Sequence, residues 1–272
     1  MLNASELAET TVFSFAGGLR AVERGVASEV AVQISYGTVP YAVMMATPAD
    51  LEDFAVGFSL SEGVIDARGD VRGVTVEAGD GGVWVDVALV PGRFHGVLAR
   101  KRSIAGRTSC GVCGVEDLAS MPRAGGRGVV GGVVRLGAVQ RALEALPGRQ
   151  VLHAATRAMH AAAWADDTGA LLCVREDVGR HNALDKLVGA LLSRGVDAAA
   201  GFVVVTSRCS YEMVEKVAAF GAGTLVAISA PTTLGVARAR AHGITLLGVA
   251  RGDGVTAFSG AERVVVGANA VA

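Results

Sequence analysis

Two cysteines three positions apart, Cys110 and Cys113, carry the strongest chemical signal in the sequence, because glycines surround both. Glycine lets the backbone turn sharply and leaves a neighbouring thiol without steric cover. The approach to the pair has no acidic residue and carries the cations Arg93, Arg100, Lys101, Arg102 and Arg107. Such cations favour the thiolate and can lower a cysteine pKa from about 8.5 toward 7. The pattern predicts a reactive thiol in a loop, with half of a zinc site or an ordinary turn as alternatives.

The zinc alternative is weak because a structural site needs four ligands, commonly two cysteine pairs or one pair with two spaced histidines. The sequence has one pair, and its other cysteines, Cys173 and Cys209, are isolated. None of the five histidines precedes a glutamate by two positions, as in the zinc deaminases. We therefore predict no structural metal. A thioredoxin-like pair is also disfavoured, because it would lie at a strand-to-helix junction.

Length and composition indicate an ordinary globular protein. At 272 residues the chain has room for two modest domains, and 51% hydrophobic against 19% charged residues gives a sizeable core. The net charge of -1 argues against broad binding to nucleic acid or anionic lipid. We find no signal peptide and no apolar run of roughly 18 residues, so we expect a cytoplasmic protein without a membrane span.

The first half of the chain predicts an α+β domain over residues 1–99. Residues 1–28 show little pattern and predict a loose lead-in, whereas residues 30–35 with 39–45, and 71–77 with 83–90, predict two hairpins. Thr47 and Pro48 predict the N-cap and first position of a helix between them. The pattern weakens after residue 92, so residues 100–136 are predicted to form a basic, glycine-rich linker that contains the cysteine pair.

The second half, residues 137–272, predicts an α/β domain. Helices and strands alternate there, which indicates a mostly parallel sheet covered by helices. The predicted helices are 137–146, 151–164, 182–194, 210–220 and 232–242, and the strands are 170–175, 201–206, 224–229 and 244–250.

Polar residues follow the predicted strands, where open α/β sheets bind ligands. Helix capping explains some of them, namely Asn182, Ser210 and Thr232. It does not explain the basic residues beside glycines at the same edge, which are Arg180, His181, Arg208 and Arg251. Arginines and helix N-termini suit an anion with several oxygens, such as a nucleotide diphosphate. His160, on predicted helix 151–164, is expected to be a hydrogen-bonded core residue.

These motifs resemble one known family. Residues 108–114 (TSCGVCG) resemble the cysteine loop of the FdhD family, the sulfur carriers required for formate dehydrogenase activity, and residues 176–186 (EDVGRHNALDK) resemble its most recognisable block. The likeness continues through residues 207–216 (SRCSYEMVEK), 230–232 (APT) and 243–246 (GITL). It covers most of the chain from about residue 30 to 260, in the family's order.

The resemblance implies a sulfurtransferase. Such a protein takes sulfur from an L-cysteine desulfurase and passes it to the molybdenum cofactor in its bis(molybdopterin guanine dinucleotide) form, bound as a substrate, before insertion into formate dehydrogenase. It also implies a homodimer and a C-terminal cytidine-deaminase-like three-layer domain without zinc chemistry. The alternatives are a cofactor-binding chaperone that does not handle sulfur, and a zinc or thiol-redox protein.

The same resemblance implies roles for particular residues. Cys110 carries the persulfide, and Cys113 is a possible second thiol. The family's cofactor-binding segment falls on Val249, Ala250, Arg251, Gly252, Asp253 and Gly254, and Arg180, His181, Ser207 and Arg208 are further candidates. Two departures stand out: Val249 replaces a usual aromatic residue, and Arg157-Ala158 replaces an expected pair of glycines.

Overall fold

A computed structural model describes residues 3–101, 129, 132–251 and 253–267, and within these ranges no helix is long and apolar enough to cross a membrane. Its first element is a β-hairpin of β1 (Ser5–Phe13) and β2 (Leu19–Ala27), paired in continuous antiparallel register. The expectation of a loose lead-in is therefore wrong. No residue of either strand is fully buried, so the sequence lacks the alternation of apolar and polar residues that marks a half-buried strand.

The two predicted hairpins of the first half are confirmed. They form one sheet from β3 (Val30–Tyr36), β4 (Val39–Ala46), β5 (Val71–Gly79) and β6 (Gly82–Leu89). The strand order is β4-β3-β6-β5, with β3 and β6 parallel. Helix α1 (Leu51–Ser61) connects the hairpins and is capped at Asp50, not at Thr47 as predicted. The Thr47 side chain instead accepts a hydrogen bond from the Val178 backbone nitrogen at 3.1 Å.

Regular structure continues past residue 92, where the pattern predicted that it would weaken. Helix α2 (Pro91–Lys101) begins at a proline, which has no N–H to lose at the first helical position. Most of the predicted linker, including Cys110 and Cys113, lies outside the described residues. The structure continues with β7 (Val134–Arg135) and α3 (Leu136–Ala145), which matches the predicted helix at 137–146.

The predicted helix 151–164 is two elements. Helix α4 (Val151–Thr156) ends at Arg157, which has a left-handed φ of 58°, and β8 (His160–Asp166) follows. The alanines at 161, 162, 163 and 165 favour a helix by propensity, but they are buried in the sheet. His160 therefore opens a strand, and its predicted helical position is wrong.

A six-stranded sheet dominates the second half. It adds to β8 the strands β9 (Leu171–Asp177), β10 (Gly201–Val205), β11 (Thr224–Ala227), β12 (Thr245–Arg251) and β13 (Gly254–Ser259), in the order β13-β12-β11-β10-β8-β9. The α/β class is confirmed. The sheet is mixed: β10, β11 and β12 run parallel, whereas β8 and β13 run in the opposite direction, so the parallel part is smaller than predicted. A short β14 (Val264–Val265) pairs with β7.

Helices cover both faces of this sheet. The remaining helices are α5 (Arg180–Ser193), α6 (Tyr211–Phe220) and α7 (Thr233–His242). Val203 and Val205 belong to the core shared with α5, α6 and α1, whereas Phe202 and Val204 belong to the core under α3. Helices α1 and α5 pack closely at Gly57 and Gly189. A Cβ on either glycine would collide with the backbone of the facing helix. The domain boundaries at residues 99 and 137 stay a prediction.

Candidate functional site

One edge of the six-stranded sheet collects the predicted binding residues. Since β9, β10, β11 and β12 all run in the same direction, their carboxyl ends meet at this edge. The amino ends of β8 and β13, which begin at His160 and Gly254, lie at the same edge. The sequence-based expectation that these polar segments share an edge is therefore confirmed.

The segment after β9 is occupied by internal contacts. Lys186 and Asp177 have no exposed side-chain surface, and Lys186 Nζ lies 2.7 Å from Asp177 Oδ2. Lys186 also donates to the Thr47 carbonyl oxygen at 2.9 Å, and the Thr47 backbone nitrogen donates to Asp177 Oδ2 at 3.0 Å. The prediction that Asn182 caps α5 is wrong. Its side chain donates to Asp177 Oδ1 at 3.0 Å and to the Met45 carbonyl oxygen at 2.8 Å.

A second buried carboxylate completes this group. Asp185 accepts hydrogen bonds from Ser61 Oγ at 2.7 Å and from Lys216 Nζ, whose distance to Asp185 Oδ2 is also 2.7 Å. We call Thr47, Asp177, Asn182, Asp185 and Lys186 the α5 cluster. Burial lowers the pKa of Lys186, and the Asp177 carboxylate opposes that shift. The cluster joins the β3–β4 hairpin, α1, α5 and α6, so its polar groups hold the two halves of the chain together.

Arg180 and His181, at the start of α5, are half-buried. His181 Nε2 lies 2.7 Å from Glu212 Oε2. Burial alone raises the pKa of Glu212, but the contact with His181 and the charges of His181, Lys216 and Arg180 outweigh it, so this pKa is lowered. The Arg180 Nε atom is buried and has no hydrogen-bond partner in the described part of the chain. Arg180 therefore brings to this edge a buried donor that no described residue satisfies.

Ser207 and Arg208 follow β10 and differ in exposure. Ser207 is buried, and its hydroxyl donates to the Arg208 carbonyl oxygen at 3.0 Å. The Arg208 side chain is exposed at the edge. Of the two helix caps predicted nearby, one is confirmed. Thr232 caps α7, because its hydroxyl oxygen accepts a hydrogen bond from the Gly235 nitrogen at 3.1 Å. Ser210 precedes α6, but its side chain makes no capping hydrogen bond.

The segment predicted to bind the cofactor lines a cavity of about 330 Å³ between α3 and the β12–β13 turn. We call it the β12–β13 cavity. Its lining residues are Leu136, Val139, Gln140, Leu143, Glu144, Ile228, Ala250, Arg251, Asp253, Gly254 and Val255. It thus contains four of the six predicted segment residues. Gly252 lies outside the described residues, and Arg180, His181, Ser207 and Arg208 do not belong to this lining.

Val249 introduces backbone strain beside the cavity. Its φ is 52°, a conformation that β-branched residues rarely adopt, and the β12–β13 register shifts between Gly248 and Arg251. Its nitrogen donates to the Ser229 carbonyl oxygen at 3.1 Å, which ties the bulge to the end of β11. Bulges of this kind re-aim side chains next to functional sites. Here the bulge immediately precedes Ala250 and Arg251 of the lining.

The histidines near this edge have structural partners. His153 Nδ1 lies 2.9 Å from the Met159 carbonyl oxygen, and Glu176 accepts bonds from the backbone nitrogens of Leu152 and His153 at 2.8 Å each. Burial lowers the pKa of His160, and the charges of Arg180 and two histidines add to the shift. Within the described residues, no three His, Cys, Asp or Glu side chains are grouped to hold a metal ion.

The two described cysteines are buried and unreactive. Cys173 is 3% exposed and Cys209 is 0% exposed, and both are free thiols. Burial raises the pKa of both thiols, for Cys209 to about 12. Cys173 is therefore a small core residue of β9. A thiolate is the reactive form of cysteine, so neither side chain suits nucleophilic chemistry at neutral pH.

Comparison with known proteins gives three findings. The model of the FdhD/NarQ family matches residues 27–265. A sulfur carrier protein FdhD from Xanthomonas campestris pv. campestris is 47% identical over 260 residues, covering 94% of this chain and 92% of that protein. One from Bordetella petrii is 46% identical over 238 residues, covering 88% and 86%. A Desulfotalea psychrophila crystal structure, assigned as a formate dehydrogenase accessory protein, aligns with a TM-score of 0.75 over 97% of this chain and 100% of that one; at 22% identity it supports the fold alone.

Proposed function

The chain belongs to the FdhD/NarQ family, and on this premise we propose that it is a sulfur carrier that supports formate dehydrogenase. Curated relatives at 47% and 46% identity bear the name of sulfur carrier protein FdhD. In this proposal the donor is an L-cysteine desulfurase, and the acceptor is the molybdenum cofactor in its bis(molybdopterin guanine dinucleotide) form. The cofactor is a bound substrate that is sulfurated before its insertion into formate dehydrogenase.

The state of the cysteines carries the proposal. Of the four in the sequence, Cys173 and Cys209 are buried thiols with raised pKa values. A sulfur carrier needs a thiol that a partner protein can reach, which leaves Cys110 and Cys113. We assign the persulfide to Cys110, and the basic residues before it keep its thiolate available and help dock the donor.

The loading step is a thiolate exchange. The Cys110 thiolate attacks the terminal sulfur of the desulfurase persulfide, forming a new S–S bond on Cys110. The S–S bond of the donor breaks, and the donor cysteine leaves as a thiolate with the electron pair. Cys113 has two alternative roles. In one, its thiolate attacks the inner sulfur of the Cys110 persulfide, forms the Cys110–Cys113 disulfide and releases the outer sulfur as hydrosulfide with the electron pair of the broken S–S bond. In the other, Cys113 shares the carrier role by holding a persulfide itself.

The β12–β13 cavity is the proposed place of delivery. Arg251 lies in its lining, and Arg180 and Arg208 lie at the ends of β9 and β10 on the same sheet edge. In the proposal these arginines hold the phosphates of the guanine dinucleotide while sulfur passes to molybdenum. We also propose that the protein acts as a homodimer.

A chaperone that binds the cofactor without handling sulfur is the competing function. It requires the cavity but not the thiol, and so the two functions are separated by a labelling experiment. We would incubate the full chain with a cysteine desulfurase and ³⁵S-labelled L-cysteine, and locate added sulfur by peptide mass spectrometry.

We expect label on the wild-type peptide that contains Cys110. Cys110→Ala should lose it, or keep only label on Cys113 if that thiol shares the carrier role. Cys173→Ala serves as the matched control and should retain the label, since that thiol is buried. The same pair is then tested for support of formate dehydrogenase activity. An unlabelled wild-type protein, or full support by Cys110→Ala, would contradict the carrier function.

A further inference from the structure

Glu144 is a candidate base-reading residue because of where α3 places it. Leu136, Val139, Gln140, Leu143 and Glu144 recur at helical spacing, and all five line the β12–β13 cavity. One face of α3 is thus turned to this cavity over its whole length. The opposite side is formed by Ile228 at the end of β11 and by residues of the β12–β13 turn.

The size of the cavity limits what it can hold. About 330 Å³ is at the lower end of the range for small-molecule sites, which runs from roughly 300 to 1,000 Å³. A whole dinucleotide cofactor needs much more room, whereas a single base with part of its sugar is of suitable size. The lining includes apolar side chains from both sides, Leu136 and Leu143 from α3 and Ile228 and Val255 from the sheet, which suits the apolar faces of a base.

The charges in the lining favour a group rich in hydrogen-bond donors. The lining has one cation, Arg251, against two carboxylates, Glu144 and Asp253. That balance disfavours a diphosphate inside the cavity, because the carboxylates repel it. Guanine offers two adjacent donor groups, N1–H and the N2 amino group, which match the two oxygens of one carboxylate. Adenine presents an acceptor at N1, which a carboxylate repels.

Between the two carboxylates, Glu144 is the one held in place. Both Gln140 and Glu144 are exposed, and Gln140 Nε2 donates to Glu144 Oε1 at 2.8 Å, one helical turn away on the cavity-lining side of α3. Asp253 lies in the turn beside Arg251, where the cavity opens to the strand edge. We propose that Glu144 reads the guanine base of the bound nucleotide, with Arg251 at the mouth toward the phosphates. This inference rests on the proposed function, since it assumes that a guanine nucleotide is the ligand.

The test measures binding of GDP and ADP to the full-length chain by calorimetry. We expect the wild type to prefer GDP. Glu144→Gln should lose roughly ten- to a hundredfold in GDP affinity, and with it the preference over ADP, because an amide offers a donor where guanine needs a second acceptor. Glu77→Gln, an exposed site on β5, is the matched control and should bind like the wild type. Arg251→Ala should weaken both nucleotides by a similar factor.

The outcomes separate this inference from the proposed function. If Glu144→Gln keeps the full preference for GDP, the inference is overturned while nucleotide binding stands. If Leu143→Trp, which adds bulk at a partly buried position of the lining, leaves GDP affinity unchanged in a folded protein, the base lies elsewhere and the inference is again overturned. If the wild type binds neither nucleotide, the proposed delivery at this cavity fails together with the inference. Absence of labelled sulfur on Cys110 contradicts the carrier function whatever the nucleotide result.

Discussion

The α5 cluster and the β12–β13 cavity occupy the same edge of one sheet, but their polar groups are used in opposite ways. In the α5 cluster every charged group has an internal partner, and Asp177, Asp185 and Lys186 are fully buried. Around the cavity, Arg251 and Asp253 are exposed, and Val249 has a strained backbone. The first arrangement stabilises the fold, and the second leaves polar groups available to a ligand.

This difference shows that the most recognisable motif is not the most open site. Residues 176–186 supply Asp177, Asn182, Asp185 and Lys186 to the interior, and Glu176 to the start of α4. Within that block, Arg180 and His181 lie at the surface of the edge. Spacing alone does not distinguish a buried network from a binding site; the partners of each polar atom do.

The largest expected effect comes from breaking the buried pair. Lys186→Met leaves the Asp177 carboxylate buried without its counter-charge, which costs about 3–5 kcal/mol of unfolding free energy. Urea unfolding followed by circular dichroism measures this. Arg72→Met, at an exposed site on β5, is the control and should stay within about 0.5 kcal/mol of wild type.

The same variant tests whether the comparison holds. If Lys186→Met unfolds near the wild-type midpoint but loses GDP binding, the α5 cluster is a binding site and its internal pairing is incidental. A double variant, Asp177→Asn with Lys186→Met, should recover part of the loss, because it removes both charges from the interior and keeps an oxygen that accepts from the Thr47 nitrogen.

A smaller, pH-dependent effect is expected at the border between the two regions, where His181 meets Glu212. The pKa of Glu212 is lower in the folded protein than its ordinary value of 4.5. The stabilisation is therefore present above about pH 4.5 and is lost as the pH falls through the lowered pKa. Glu212→Gln should lower the unfolding free energy by about 1 kcal/mol at pH 7 and have no such loss on acidification.

Unfolding curves between pH 7 and pH 3 make this measurement, with Glu77→Gln as an exposed control. Parallel acid profiles for the wild type and Glu212→Gln would contradict the assignment. If Glu212→Gln keeps the wild-type stability but binds GDP more weakly, the contact of His181 with Glu212 serves ligand binding and does not stabilise the fold.

The sequence predicts the secondary structure well where one face of an element is buried. Strand β6, in which buried and accessible residues alternate, and helix α3, which buries Ala138, Val139 and Ala142, are of this kind. The prediction fails where the two faces of an element do not differ in burial. The β1–β2 hairpin has no fully buried residue, and β8 is buried on both faces and rich in alanine, so neither shows the period of a strand.

The candidate site shows the same division. The strand-end rule correctly predicts one edge for Arg180, Arg208 and Arg251, because chain direction alone determines it. The sequence does not reveal the roles of Glu144 and Gln140, which lie more than a hundred residues before β13 and reach the cavity only through the packing of α3. It likewise gives no sign that Lys186 is buried, since lysine is ordinarily exposed.

The smallest expected effect compares two left-handed residues, one at the cavity and one remote from it. Arg157 ends α4 with a φ of 58°, its side chain is exposed, and its nitrogen donates to the His153 carbonyl oxygen at 2.7 Å. Glycine adopts this conformation without steric cost, so Arg157→Gly should raise the unfolding free energy by about 0.5–1 kcal/mol, after part of the gain is offset by a more flexible unfolded chain. Arg157→Ala keeps the strain and should give no gain, and GDP affinity should not change in either variant.

Val249→Gly relieves comparable strain beside the cavity, and there the expected result is weaker GDP binding, since the bulge no longer holds Arg251 in one position. Equal GDP affinities in Arg157→Gly and Val249→Gly would mean that the strain at Val249 is a feature of the fold and has no part in ligand binding.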